Sequence, residues 1–497
     1  MSMIQVTNLT FSYPGSCDTV LDQVSFRFDT DWKLGFLGRN GRGKTTFLRL
    51  LLGEYPTGGA ITGVPSCTYF PFPVSDPERM ALDVLAAACP TAEEWELLRE
   101  TGLLGVDAGA LYRPFSTLSN GERTKCLLAA LFCGETRYLL IDEPTNHLDA
   151  VGRRAVASYL RQKRGFLLVS HDRDFLDGCV DHILALQKTG AVVQSGNFST
   201  WWENKSRQDA FELAQNEKLR GEVRRLERAA ARTSVWSDRV EATKTGTRNS
   251  GLKPDRGYIG HKSAKMMQRS KAIEARRQRA AEETAGLLKD LERADALKLH
   301  PLTARGRLLD LRDVSPCYAG RPVCRPLTFS VEPGARTALA GGNGSGKTAL
   351  LKLLLGQDIA HTGTLRRLSG LRISYVPQGT ACVRGGLRDF AAETGVDLTL
   401  LLAILRKLDF PRAQFEKDMA DWSAGQKKKA LIARSLCESA HLYLWDEPLN
   451  YLDVWSRMQV ENLLLEFQPT LLFVEHDEAF RRRIATAVVD VRPLQPS

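Results

Sequence analysis

No apolar run in this 497-residue chain approaches eighteen residues, so a membrane-spanning helix is not expected. The opening stretch Met1-Ser-Met-Ile-Gln-Val6 has neither a charged n-region nor an apolar h-region and reads as a first strand, not a secretory leader. The ten cysteines are scattered, without a single Cys-x-x-Cys pair, which argues against a zinc ribbon or a disulfide framework and favours a reducing cytosol. Hydrophobic content of 43% with 25% charge excludes general disorder, and the length suits two or three domains, each with its own core. Excess charge is scarce outside one segment. The chain carries +10 in all, and between Lys205 and Lys298 there are 23 Lys and Arg against 14 Asp and Glu, a balance of +9.

What the chain does have is the pattern G-x-x-x-x-G-K-[ST], twice. It occurs as Gly38-Arg39-Asn40-Gly41-Arg42-Gly43-Lys44-Thr45, followed by Thr46, and as Gly341-Gly342-Asn343-Gly344-Ser345-Gly346-Lys347-Thr348, the lysines lying 303 residues apart. Glycines let a tight loop turn its backbone N–H groups onto phosphate oxygens, the lysine reaches the outer phosphates, and the hydroxyl ligates Mg2+. The spacing predicts two sites for ATP with Mg2+, with Thr45 and Thr348 on the metal.

Aligning the two loops brings other segments into register. Tyr13 pairs with Tyr318, Ser119-Asn-Gly121-Glu122 with Ser423-Ala-Gly425-Gln426, Asp142-Glu143 with Asp446-Glu447, and His171 with His476, at offsets of 304 or 305. A repeat of about 200 residues is a duplicated domain, and each copy reads as an α/β domain with a parallel sheet. Trp32 to Leu37 is a strand entering the first loop and Thr45 to Leu52 the helix leaving it. The expected division is residues 1–202 and 301–497 for the two copies and 203–300 for a linker. Within that linker, Arg207 to Glu241 and His261 to Leu299 read as two long helices of an antiparallel hairpin, Leu219, Val223, Leu226 and Ala230 following the spacing of a helical seam. The tip, residues 243–262, cannot continue a helix through Pro254. It gathers Lys244, Arg248, Lys253, Arg256, Tyr258, His261 and Lys262, cations with a ring that suits RNA phosphates and an unstacked base.

Asp142 and Asp446 each end an apolar strand, Tyr-Leu-Leu-Ile before one and Leu-Tyr-Leu-Trp before the other. That places a carboxylate at the carboxyl edge of the sheet, where it can hold the Mg2+ shell. Glu143 and Glu447 point differently and can polarise a water in line with the terminal phosphate, a general-base role. Ser119 and Ser423 cap helices whose N-terminal amides suit an anion.

Together the phosphate loops, the Ser-x-Gly segments, the Asp-Glu strands, Leu148-Asp149 and Leu452-Asp453, and the two histidines resemble a pair of ATP-binding-cassette domains. The resemblance implies two ATP sites shared between the copies. Lys44, Thr45, Asp142, Glu143 and His171 would face Ser423 and Gly425, with Gln426 beside them. Lys347, Thr348, Asp446, Glu447 and His476 would face Ser119 and Gly121. The histidines would sense the terminal phosphate. Tyr13 and Tyr318 stand where the family stacks adenine, although a core strand tyrosine is an equal reading of each. Gln378 matches the family's metal-touching glutamine, whereas Tyr69-Phe-Pro-Phe72 has phenylalanine there; Glu475 replaces the counterpart of Ser170, and Leu449 that of Thr145. Both glutamates remain, so two hydrolytic sites are expected, with room for different rates.

Two cassettes and a long basic linker resemble the ABC-F family over essentially the whole chain, and the tip wording is most similar to its antibiotic-resistance, Lsa-type branch. The resemblance implies a cytoplasmic monomer whose cassettes form an intramolecular dimer and whose partner is the ribosome, with 23S rRNA and P-site tRNA near the linker tip. It further implies entry at the tRNA exit site and protection from lincosamides, streptogramin A and pleuromutilins. A housekeeping factor of the same family, the ATPase subunit of a membrane transporter and a DNA-associated ATPase are the rival readings.

Overall fold

The computed structural model describes residues 2–14, 19–134, 137–146, 148–187, 190–242, 261, 264–265, 267–268, 271–276, 278–279, 297–410 and 412–494. The chain divides into two compact units. Met1–Leu186, Gly190–Ser199 and Ala294–Ser497 make one, which holds both copies of the repeat; Gln187–Thr189 and Thr200–Arg293 make the other.

Within the first unit each copy is built on two sheets. The first copy has an antiparallel sheet ordered Thr19–Asp29, Met3–Ser12, Gly58–Thr62, and a six-stranded sheet ordered Cys67–Phe70, Tyr138–Asp142, Phe166–Val169, Lys33–Gly38, His182–Leu186, Ala191–Ser195. All pairings in the larger sheet are parallel except the last. In the second copy the corresponding sheet runs Ile373–Val376, Leu442–Asp446, Leu471–Val474, Arg336–Ala340, Ala487–Asp490, in the same order and entirely parallel. The central strands are apolar throughout, as burial on both faces demands: Phe166–Val169 and Leu471–Val474 are fully buried. Because these strands are parallel, their carboxyl ends share one edge, and that edge receives the phosphate loops and the carboxylates.

The two copies meet along this edge and beyond it. Arg39 pairs with Asp409 at 3.0 Å, Arg482 with Asp174 at 2.6 Å and Arg154 with Glu478 at 3.7 Å. Glu461 is fully buried, and its carboxylate accepts from Arg173 of the first copy and from Arg483 of its own at 2.8 Å.

The helix Phe198–Ala242, whose first two residues belong to the first unit and the rest to the second, is 45 residues long, about 68 Å at the usual rise. It begins nine residues before the point that the apolar spacing predicts. Ser199 supplies the reason, donating its backbone N–H and its hydroxyl to Asp177 at 2.8 and 2.5 Å, while pairs such as Lys205 with Asp209 at 2.9 Å support the following turns. Described positions between 261 and 279 are helical. The sequence reading continues that helix to Leu299, but residues 297–300 are not helical, and Leu297 and Leu299 are buried in the core of the second copy while Lys298 and His300 are exposed. Alternation of period two is the signature of extended chain, and it ends the helix earlier.

Glu461→Ala leaves Arg173 and Arg483 facing each other without a carboxylate. It is expected to destabilise the protein by about 3–5 kcal/mol, read as a lower midpoint in chemical denaturation, with Glu461→Gln costing less.

Candidate nucleotide sites

Each phosphate loop is a strand-to-helix turn that needs glycine. Gly43 and Gly346 cap the helices Lys44–Leu51 and Lys347–Leu355 with left-handed backbone, φ 87° and 93°. A Cβ on Gly43 would lie 2.8 Å from Val20. Lys44 Nζ donates to the carbonyls of Gly38 and Arg39 at 2.6 and 3.2 Å, and Lys347 Nζ to those of Gly341 and Gly342 at 3.0 and 2.6 Å. The same fold-back therefore occurs in both copies.

Two cavities form, each lined by both copies. The first, about 460 Å3, takes Tyr13, Asn40, Gly41, Gly43, Lys44, Thr45, Thr46, Asp142, Glu143 and His171 from the first copy and Ser423, Gly425 and Tyr451 from the second. The second, about 370 Å3, takes Asn343, Gly344, Ser345, Gly346, Lys347, Thr348, Gln378, Glu447 and His476 from the second copy and Ser119, Asn120 and Asn146 from the first. Asn40 Nδ2 donates to the Tyr451 carbonyl at 2.7 Å across the junction. Both serines head helices through capping boxes: Ser119 Oγ accepts from Glu122 N–H and Ser423 Oγ from Gln426 N–H, each at 3.3 Å.

Not every expected residue reaches a cavity wall. Arg39 turns to Asp409, and Gly38, Arg42, Gly121, Gly341, Gly342, Gln426 and Asp446 stay off the lining. Tyr13 both lines the first cavity and packs in the core: its hydroxyl meets Thr46 Oγ1 at 2.8 Å and its ring stands edge-on to Phe11 and Tyr55. Tyr318 is 51% exposed and does not line the second cavity. Of the linker tip, only His261 is described, and it is exposed; Lys244, Arg248, Lys253, Arg256, Tyr258 and Lys262 lie outside the described residues.

The carboxylates are arranged for a hard cation. Thr45 Oγ1 and Tyr69 OH donate to Asp142 Oδ2 at 2.8 and 3.0 Å, and Thr348 Oγ1 donates to Asp446 Oδ2 at 2.9 Å. Asp446 Oδ1 is buried without a hydrogen-bond partner among the described residues, and burial pushes the Asp446 carboxyl up to about 6. An orphan carboxylate oxygen beside a threonine hydroxyl fits Mg2+, which takes oxygen ligands.

Glu143 and Glu447 hold left-handed backbone, φ 50° and 47°, which for a side chain other than glycine is a strained conformation found at functional sites. Their N–H groups bond to the carbonyls of Val169 and Val474 at 2.9 and 3.0 Å, so the neighbouring strand holds the turn. His171 Nε2 stands 3.3 Å from Glu143, and His476 Nε2 3.5 Å from Glu447. From there the sites part. Burial and the adjacent Asp142 push Glu143 up to about 8. Burial also raises Glu447, but the nearby His476 and Gln378 side chains and the Lys428 charge outweigh it and bring the group down to about 2. Asn450 Nδ2 adds a bond to Glu447 at 2.6 Å. Burial lowers the ammonium groups of Lys44 and Lys347 and, with Lys44 close by, holds His171 well below its ordinary value.

Sequence reasoning passed over Asn146, Tyr451 and Asn450. A signal existed, since Asn146 and Asn450 each follow the glutamate by three positions in the repeat register.

Two P-loop domains whose cavities are each completed by a capped helix of the partner define an ATP-binding-cassette ATPase. The chain belongs to the ABC transporter family, which matches residues 21–146 and 324–450, and it is accordingly an ATP hydrolase. No helix among the described residues is long and apolar enough to cross a membrane. Relatives extend over nearly the full length, in agreement with the ABC-F resemblance. The chain is 28% identical to the ribosome protection protein VmlR of Bacillus subtilis, covering 96% of this chain and 84% of that protein. It is 26% identical to the energy-dependent translational throttle protein EttA of Escherichia coli, covering 95% and 89%. It is 27% identical to the ATP-binding protein Uup of Caulobacter vibrioides, covering 95% and 74%. Among solved structures, the archaeal ribosome recycling factor aABCE1 in complex with ribosomal stalk protein aP1 shares the fold, with TM-score 0.62 and 18% identity over 97% of this chain and 87% of that one.

A Cβ on Gly425 would lie 2.7 Å from the Tyr451 carbonyl and 2.9 Å from Asn40 Nδ2. Gly425→Ala is therefore expected to spoil closure of the first cavity and lower ATP turnover by about tenfold or more, equivalent to about 1.4 kcal/mol, in a steady-state phosphate-release assay.

Proposed function

We propose that this ATPase acts on the ribosome, binding at the tRNA exit site with its cassettes closed on ATP and protecting the peptidyl-transferase centre from lincosamide, streptogramin A and pleuromutilin antibiotics. The observation that carries this reading is the near full-length similarity to VmlR, a ribosome protection protein, in a chain whose residues 205–298 hold a balance of +9. A basic segment gains sequence-independent affinity from RNA phosphates. In this reading the linker, residues 203–300, presents its tip at 243–262 to 23S rRNA and P-site tRNA.

Lys44 and Lys347 bind the outer phosphates, and Ser423 with Gly425 and Ser119 with Asn120 complete each site from the opposite cassette. Thr45 with Asp142, and Thr348 with Asp446 and Gln378, would hold Mg2+, which when bound neutralises charge on the phosphates. Glu143 and Glu447 take the proton of the attacking water, oriented by His171 and His476. Closure brings the composite cavities together, and hydrolysis lets them part, so that the ATP-closed form is the one that engages the ribosome. EttA favours a second reading, a housekeeping translation factor, because the match to it is equally extensive. Expression in a drug-sensitive host separates the two: protection raises the inhibitory concentration of a lincosamide, and a housekeeping role leaves it unchanged.

The direct test is sedimentation of the Glu143→Gln/Glu447→Gln protein through sucrose with ribosomes. With ATP it is expected to pellet with the ribosomes and to lower the amount of bound lincosamide, and with ADP to stay in the supernatant. Free sedimentation in ATP would count against the ribosomal reading.

A further inference from the structure

The two Ser-x-Gly helices differ at one interior position. In the repeat register, Lys428 in the helix Ala424–Cys437 stands opposite Thr124 in the helix Asn120–Leu131. Thr124 is half-buried and donates to the Asn120 carbonyl of its own helix at 2.8 Å. Lys428 is fully buried. Its ammonium donates to three carbonyls, Pro377 at 2.8 Å, Asp446 at 3.2 Å and Gln378 at 3.3 Å. Three acceptors match the three N–H groups of a lysine, which is what makes complete burial tolerable.

Those acceptors lie on two segments, and in the first copy no lysine takes that place: Tyr69, in the strand before the matching loop, donates to Asp142 Oδ2 at 3.0 Å instead. Pro377 and Gln378 belong to the loop after the strand Ile373–Val376, and Asp446 ends the strand Leu442–Asp446 that carries Glu447. The helix that supplies Lys428 begins at Ser423 and Gly425, which line the first cavity, whereas Gln378 and Glu447 line the second. One helix thus touches one nucleotide cavity with its first turn and, with its second, the backbone carbonyls that lead into Gln378 and Glu447 of the other. The opposite helix has no such reach, because threonine is too short, and the loop it would hold has Phe72 where the second copy has Gln378.

We propose that Lys428 is a positioning residue that fixes Gln378 and Glu447 in the second cavity, makes that site the faster hydrolytic site, and ties its geometry to closure around the first. The proposal rests on Glu143 and Glu447 being the hydrolytic bases. Glu447 accepts from Asn450 Nδ2 at 2.6 Å, with His476 Nε2 at 3.5 Å. Glu143 has an oxygen buried without a hydrogen bond among the described residues and His171 at 3.3 Å. The better-held glutamate is the one behind the lysine clamp.

The experiment uses the full chain in two backgrounds, Glu143→Gln, which leaves the second site active, and Glu447→Gln, which leaves the first. Into each is placed Lys428→Met, which keeps the length but removes the donors, or Lys428→Thr, which copies the residue of the first cassette. Lys428→Met is expected to lower kcat about tenfold or more in the Glu143→Gln chain while KM for ATP and the turnover of the Glu447→Gln chain stay within about twofold. Lys428→Arg, which retains donors, is expected to recover part of the loss. Amide exchange of the nucleotide-free protein gives a readout independent of turnover: residues 376–380 exchange faster in Lys428→Met, whereas residues 70–74 are unchanged. Equal losses in both backgrounds, no loss in either, or unchanged exchange at 376–380 would overturn the proposal, and Lys428→Thr decides if Lys428→Met fails to fold. Turnover persisting in the Glu143→Gln/Glu447→Gln chain would instead overturn the reading of the bases.

Discussion

The structure depends on buried charge where the two cassettes meet. Arg153 pairs with Asp172 at 2.7 Å and Arg457 with Asp477 at 3.1 Å, all four buried, and each arginine also donates to the backbone just before its own helix, at Leu148 and Leu452. The two pairs influence each other across the junction, since Asp477 bears on Asp172 and on Arg153. Charges removed from water are tolerated only when each is met by a partner in good geometry. The cluster therefore restricts the ways in which the two copies can come together. It stands beside the segments that join each Asp-Glu strand to the next helix, and the pairs that cross the junction next to it, Arg173 with Glu461 and Arg482 with Asp174, hold the two copies against each other.

Duplication supplies the symmetry of this junction, and a few substitutions remove it. Arg39 reaches Asp409, whereas the matching positions are Gly342 and Gly105, so the pair occurs once. Glu461 binds arginines from both copies where its counterpart is Ala157. Glu475 replaces the counterpart of Ser170 and accepts from the N–H groups of Leu449, His476 and Asp477, a set that a serine hydroxyl cannot match. Each change alters contacts at the junction or beside it while leaving the fold of both copies alone. A shared scaffold can thus hold two nucleotide sites with unlike surroundings.

Much of this was legible in the residues. The glycine spacing, the capping serines and the apolar strands ending in Asp-Glu are local patterns whose geometry follows from a few neighbours, and the repeat showed which of them belong together. Contacts made across long stretches of sequence were not legible. Arg39 reads as one more loop cation until Asp409, 370 residues on, is brought beside it. Lys427-Lys428-Lys429 looks like a solvated charged face, yet Lys428 binds three carbonyls and Lys429 meets Asp453 at 3.0 Å. Tyr318 shares a register with Tyr13 but not its surroundings, because the aromatic neighbours Phe11 and Tyr55 are missing from the second copy.

Each nucleotide site is composite, built by one cassette and completed by the other. Amide hydrogen exchange of the Glu143→Gln/Glu447→Gln protein with and without ATP tests it most directly. ATP is expected to slow exchange in residues 38–46 and 423–429 together, and in residues 341–348 and 119–125 together. Protection confined to the two phosphate loops, with the Ser-x-Gly helices unchanged, would contradict it.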